Sequence, residues 1–165
     1  MKKYYVAYGS NLNLEQMKKR CPDSKLIGTG ELKNYQLLFR SNNRHNAVAT
    51  VESCEGEKVP VGIFEISKND EKHLDIYEGF PSLYTKKYIS IQSQNIKGKA
   101  MIYVMNDGFG YGIPSPYYLS IIRQGYKDCR LDEQYLNQAV NSMKKIVEEI
   151  EMKEAYPLGY KDVRQ

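Results

Sequence analysis

The sequence has no tryptophan, two histidines and three cysteines in 165 residues. Cys21, Cys54 and Cys129 are odd in number and form no C-x-x-C pair. That argues against a disulfide framework and against a zinc knuckle. His45 and His73 have no cysteine signature beside them and read as structural. Asp70, Glu71, His73 and Asp75 are clustered, but they fall on different sides of a short predicted helix, so no metal is expected. No apolar run approaches the roughly 18 residues that cross a bilayer. Met1–Ala7 lacks the apolar core of a signal peptide. The expectation is a cytoplasmic protein with no membrane partner. Neither G-x-x-x-x-G-K nor G-x-G-x-x-G occurs, and the glycines at 108, 110 and 112 match neither pattern, so no nucleotide is expected. The net charge is only +4, and the charges are interspersed, as in Lys144-Lys145 beside Glu148-Glu149. A nucleic-acid binder concentrates its basic residues on one face, so no nucleic-acid partner is expected.

What is present suits one globular domain over residues 1–165, with a core at about 3–152 and a tail at 153–165. Hydrophobic residues make up 41% and charged residues 27%. Fifteen tyrosines supply apolar rings with polar tips, which suits both strands and wet pockets. Lys3–Ala7 reads as a first strand that ends at Gly9. Leu12–Arg20 reads as a short helix capped by Asn11 or Asn13 and stopped before Pro22. Ser24–Leu32, Tyr35–Arg40, Ala47–Glu52 and Val59–Ile66 read as strands, with a polar hairpin loop at 41–46. Ser67 and Asp70 form a capping box for a helix over Lys68–Tyr77 that stops at Gly79. Tyr84–Gln92 and Lys99–Asn106 follow as strands, with Lys97-Gly98 as the turn. A loop over Asp107–Pro114 comes next. Ser115 caps, and Pro116 opens, a helix to about Gly125. A final helix over Asp132–Met152 carries one apolar stripe from Leu136 to Ile150 at helical spacing, which reads as core packing. Strands dominate and helical crossovers do not alternate with them. The fold class is therefore α+β with a mixed, barrel-like sheet.

Two places could carry chemistry. Tyr8-Gly9-Ser10-Asn11 lies between a strand and a helix. Glycine there admits close approach and a positive φ, and the helix start offers free N–H groups to a carboxylate or polarised carbonyl. The same residues also read as a plain capped turn. Glu78 ends the Lys68–Tyr77 helix, at the negative end of its dipole. It reads either as a solvated loop residue or as a carboxylate held in a pocket, its pKa raised by burial and by the dipole.

Together these segments resemble a known family. Ala7-Tyr8-Gly9-Ser10-Asn11-Leu12, Leu74-Asp75-Ile76-Tyr77-Glu78-Gly79, and Tyr103-Val104-Met105 followed by Pro114-Ser115-Pro116-Tyr117 resemble, in order and rough spacing, the signatures of the γ-glutamylcyclotransferase-like superfamily, which includes the AIG2-like proteins. The likeness covers about residues 3 to 140. It implies a small mixed β-barrel with peripheral helices, and an enzyme with Glu78 as catalytic acid/base. Tyr8, Gly9, Ser10, Asn11, Leu12, Tyr84, Tyr103 and Tyr117 would contact substrate, with Tyr117 favoured because it sits in the family's S-P-x-Y turn. Tyr77 and Phe80-Pro81 would shape the acceptor side of the pocket. The implied partner is a small-molecule γ-glutamyl substrate, cyclised to 5-oxoproline without a cofactor. A homodimer is left open. So are a γ-glutamylamine substrate, a γ-glutamyl deprotection step in biosynthesis, and a non-catalytic binding module on the same scaffold.

Overall fold

A strand of one lysine, two tyrosines, a valine and an alanine, β1 (Lys3–Ala7), lies near the middle of a six-stranded sheet in the computed structural model, which describes residues 3–93 and 96–158. A 3-10 turn at Ser10–Leu12 leads into α1 (Leu14–Arg20). Asn13, one of the two expected caps, accepts from Gln16 N at 3.1 Å, which delays the helix by two residues. Two long strands follow, β2 (Lys25–Ser41) and β3 (Val48–Ile66). Next come α2 (Lys68–Tyr77), β4 (Tyr84–Ser93), β5 (Ile96–Met105), the two-residue β6 (Gly110–Tyr111), α3 (Pro116–Asp128) and α4 (Glu133–Ala155). Residues 159–165 of the expected tail lie outside the described residues, and the helix before them runs three residues further than read.

The strand order is β4-β5-β1-β3-β2-β6. β1 runs parallel to β5 and antiparallel to β3, so the sheet is mixed, as expected. Four expected strands merge into two. Ser24–Leu32 and Tyr35–Arg40 are one strand, β2, and Ala47–Glu52 and Val59–Ile66 are one strand, β3. Pairing between β2 and β3 continues through register shifts at Leu26/Gly28 and Lys33/Tyr35. Asn34 takes a positive φ of 63° at the second shift, and its side chain accepts from Gly56 N at 3.0 Å. Such irregularities bend a strand without ending it. The expected turn at Lys97-Gly98 is also corrected. Lys97 pairs with Gln92 and Gly98 with Ile91 inside the β4–β5 ladder. The connection falls at 94–95, outside the described residues.

The bends curl the sheet into a half-barrel. Ser93 Oγ at the end of β4 reaches across to Thr29 O on β2 at 3.3 Å. A Cβ on Gly28 would stand 3.0 Å from Ile96 Cδ1. Phe39, Val51, Val59, Phe64 and Met101 of the sheet are all buried in the core. α4 packs against β2 and buries Leu136, Val140, Met143 and Val147. α3 crosses the 3-10 turn, where Gly125 lies so close that a Cβ would stand 2.6 Å from Asn13 N and from Leu12 C. No helix among the described residues is long and apolar enough to cross a membrane.

Candidate active site

The site is built where the chain leaves β1 and where α2 ends. At α2 the local sequence dictates both termini. Ser67 and Asp70 close the capping box, with Asp70 N to Ser67 Oγ at 3.1 Å and Ser67 N to Asp70 Oδ2 at 3.1 Å. The other end is a Schellman motif. Gly79 takes a φ of 63°, Gly79 N donates to Ile76 O at 3.1 Å, and Phe80 N donates to Asp75 O at 2.9 Å. A side chain costs energy at that φ, so the turn favours the glycine after Glu78. Glu78, the last residue before the reversal, faces the loop that follows β1.

That loop and Glu78 border one cavity of about 210 Å³. Tyr8, Gly9, Ser10, Asn11, Glu78, Tyr84 and Tyr103 all line it, so seven of the nine expected site residues converge there. The Asn11 amide nitrogen donates to Tyr5 OH at 2.9 Å and lies 3.5 Å from Glu78 Oε1. Ser10 Oγ pairs with Tyr77 OH at 3.1 Å. Tyr8 OH donates to Tyr103 O at 2.6 Å, locking the start of the loop to β5. Tyr103 OH in turn donates to Asp75 Oδ1 at 2.5 Å. Gly9 has a φ of −128°, so the anticipated positive φ is not what glycine supplies here. It supplies room, since a Cβ would stand 3.2 Å from Ala49 Cβ.

Two expected residues are elsewhere. Leu12 is fully buried and does not line the cavity. It wedges beneath Gly62 and Gly125, where a Cβ on either glycine would meet its side chain, and so anchors the loop from below. Tyr117 is 74% exposed on α3 and points away, and its neighbour Tyr118 lines the cavity instead. Spelled out from Ser115, S-P-x-Y places its tyrosine at 118, the residue that lines the cavity. Tyr118 OH accepts from Ala49 N at 3.0 Å, while Tyr84 OH donates to Ala49 O at 2.6 Å. Two phenols from different elements therefore hold the backbone N–H and C=O of one β3 residue. Tyr5 and Leu83 also line the cavity without having been singled out in the sequence.

Burial pushes the Glu78 carboxyl up to about 7, and the positive charge of Arg20 opposes that rise. The same burial pushes the phenols of Tyr5, Tyr8, Tyr84 and Tyr118 upward, so they stay protonated around Glu78 near neutrality. Glu78 is thus a carboxylate poised between its two forms inside a ring of hydroxyls. The two buried thiols are unsuited to nucleophilic work. Cys21 is buried and pushed up to about 12, and Cys129 to about 11. The acidic cluster near α2 is engaged structurally. Asp70 caps the helix, Glu71 pairs with Lys3 and Lys86 at 2.9 and 2.6 Å, and Asp75 meets Lys86 at 2.9 Å. His45 pairs with Glu151 on the surface.

Solved structures share this architecture. A gamma-glutamyl cyclotransferase superposes with a TM-score of 0.75 at 23% identity, over 90% of this chain and 99% of that one, a likeness of fold. A human protein described as uncharacterised superposes with a TM-score of 0.74 at 26% identity, over 84% of this chain and 86% of that one. Among curated relatives, the gamma-glutamylcyclotransferase of Bos taurus is 28% identical over 160 residues, 89% of this chain and 85% of its own. That of Homo sapiens is 28% identical over 138 residues, 79% and 73% respectively. The half-barrel and its relatives define the class as a cyclotransferase enzyme. Residues 5–123 match the family described as Gamma-glutamyl cyclotransferase, AIG2-like, and the chain belongs to that family.

Proposed function

We propose that the protein cleaves a γ-glutamyl amide to 5-oxoproline and a free amine, with Glu78 as the acid/base residue. The substrate carries its own nucleophile. Its α-amine attacks the γ-carbonyl carbon, closing a five-membered ring, and the amide C–N bond breaks. The amine loses a proton as it attacks and the leaving nitrogen needs one, so a single carboxyl can take the first and return the second. A carboxyl poised near neutrality suits both halves of that exchange, and this property of Glu78 in the shared cavity carries the reading.

The remaining residues have physical parts in the same scheme. The Ser10 and Asn11 N–H groups precede the first bond of the 3-10 turn, from Leu12 N to Gly9 O at 3.0 Å. They are free to hold a substrate carboxylate or the oxyanion that develops on the γ-oxygen. A cavity of about 210 Å³ holds a folded glutamyl group and leaves the departing amine at the mouth. Its walls keep the chain bent, and that orientation removes much of the entropic part of the barrier. Tyr77, 44% exposed beside Ser10, lies where the leaving group would pass.

The experiment is detection of 5-oxoproline by mass spectrometry from a library of γ-glutamyl amino acids, γ-glutamyl amines and glutathione. Wild type is expected to release it from at least one member. Glu78→Gln is expected to lose about 10²–10⁴-fold in kcat while still binding 5-oxoproline. A Gln variant as fast as wild type would remove Glu78 from the reaction. Ligand-induced thermal stabilisation without release would leave a binding module.

A further inference from the structure

Arg20, the last residue of α1, does not line the cavity and takes no part in the chemistry above. Its half-buried guanidinium nevertheless meets both halves of the site. Nη1 donates to Asn11 Oδ1 at 2.7 Å and Nη2 to Gln16 Oε1 at 3.0 Å. Its central carbon lies 3.7 Å from the centroid of the Tyr77 ring. One flat cation therefore touches the loop after β1 through its edge and the end of α2 through its face.

The chemistry of the contacts gives them direction. A guanidinium carries only donors, so it can face only the oxygen of the Asn11 amide. The amide nitrogen is then turned the other way, toward Tyr5 OH and Glu78 Oε1. A flipped amide would set NH₂ against the guanidinium and an oxygen against the carboxylate, two repulsions in place of two attractions. The stack acts similarly on Tyr77. Half exposed, that ring has few other partners to seat it, and its hydroxyl is the one that meets Ser10. Arg20 also contributes field. The titratable and charged groups that face Glu78 are Tyr5 from β1, Tyr8 just after it, Tyr77 on α2, Tyr84 from β4 and Tyr118 from α3, all phenols, together with Arg20.

We propose that Arg20 is a positioning residue of this enzyme: one guanidinium fixes the donor side of Asn11 toward Glu78 and the Tyr77 ring beside Ser10. It thereby sets how the carboxyl is presented to substrate. The inference rests on the assignment of Glu78 as acid/base.

Two variants separate charge from geometry. Arg20→Lys keeps the charge and loses the planar fork, whereas Arg20→Gln loses the charge and gains an acceptor that tolerates either amide orientation. The first readout is a ¹³C NMR titration of the Glu78 carboxyl, which needs no turnover. The wild-type midpoint is expected near 7. Arg20→Gln is expected to raise it by roughly half a unit or more, and Arg20→Lys to leave it in place. The second readout is 5-oxoproline release against pH. Arg20→Lys is expected to keep the wild-type pH midpoint and lose roughly tenfold in kcat, because the fork and the flat stack are gone. Arg20→Gln is expected to lose more, with its midpoint displaced upward. A folded Arg20→Lys within twofold of wild type in both kcat and KM overturns the proposal, whether or not Arg20→Gln folds. If no variant and no wild type releases 5-oxoproline, the assignment of Glu78 fails. The NMR midpoints then still judge Arg20: an unmoved midpoint in folded Arg20→Gln overturns its role, and a raised one sustains it.

Discussion

Asn11 and Glu78, 67 residues apart in the chain, bring a side-chain amide nitrogen to 3.5 Å from a carboxylate oxygen. Through that approach a strand-end loop and a helix terminus become one site. The first outcome to expect is a pH dependence. Glu78 titrates near 7, so kcat/KM for a γ-glutamyl amide should rise with pH and bend near that value as the base form appears. A rate profile flat between about pH 6 and 8 would show that another group carries the proton.

Stability should show the opposite trend. In the folded protein Glu78 holds its proton up to about 7, against 4.5 for an ordinary glutamate. Between those values the native state binds more protons than the unfolded chain, so the contribution of Glu78 to stability falls as pH rises through that window. It is complete below the lower value and gone above the upper one. Glu78→Gln removes the ionisation. It should therefore be more stable than wild type near pH 8, by about 1–3 kcal/mol, with the gap closing toward pH 4.5. Urea unfolding at the two pH values measures it. A variant that is catalytically crippled and more stable is the pattern to look for.

The adjacent tyrosines of α3 give a sharp contrast. Tyr117→Ala should leave activity and melting temperature nearly unchanged, because its side chain is in solvent. Tyr118→Phe removes the acceptor for Ala49 N and one hydroxyl from the cavity wall. It should cost about 1 kcal/mol or more and raise KM several-fold. Steady-state kinetics on both variants decides which tyrosine borders the substrate.

Gly125→Ala tests the packing under the loop. The added methyl would stand 2.6 Å from Asn13 N and Leu12 C, which are backbone atoms that cannot swing aside. Such overpacking typically costs about 1–3 kcal/mol. The melting temperature should drop by roughly 4–10 °C. Activity should fall further than stability alone explains, because the displaced residues adjoin Ser10 and Asn11. Wild-type kinetics at 25 °C would show that the loop is not held by α3.

The features legible in the sequence were those decided locally. The Ser67/Asp70 box, the Ser115-Pro116 start and the Glu78-Gly79 reversal each need only a few consecutive residues, and each was read where it occurs. The apolar stripe of α4 was legible because its period is that of a helix. Strand continuity was not. Asn34 and Gly56 look like breaks, yet they are bulged partners within one ladder. Gly98 looks like a turn, yet it sits in β5 with a φ of 142°. At the site, the Tyr8–Asn11 loop and Glu78 were visible as motifs. Tyr5 and Arg20 join them through packing, which spacing along the chain does not encode. The choice between Tyr117 and Tyr118 depends on how α3 rotates as it docks, about 100° per residue.

The central position of β1 has a consequence for how the protein comes into being. Its partners are Gly62–Ile66 on one side and Ala100–Met101 on the other. β1 is synthesised before both partner strands and waits for them, and contacts between such distant parts of a chain form slowly. Until β5 and α3 have emerged from the ribosome, Tyr8 has no Tyr103 carbonyl to bind and Ala49 no Tyr118 hydroxyl. The cavity is thus completed only when the most distant of its segments has joined the sheet.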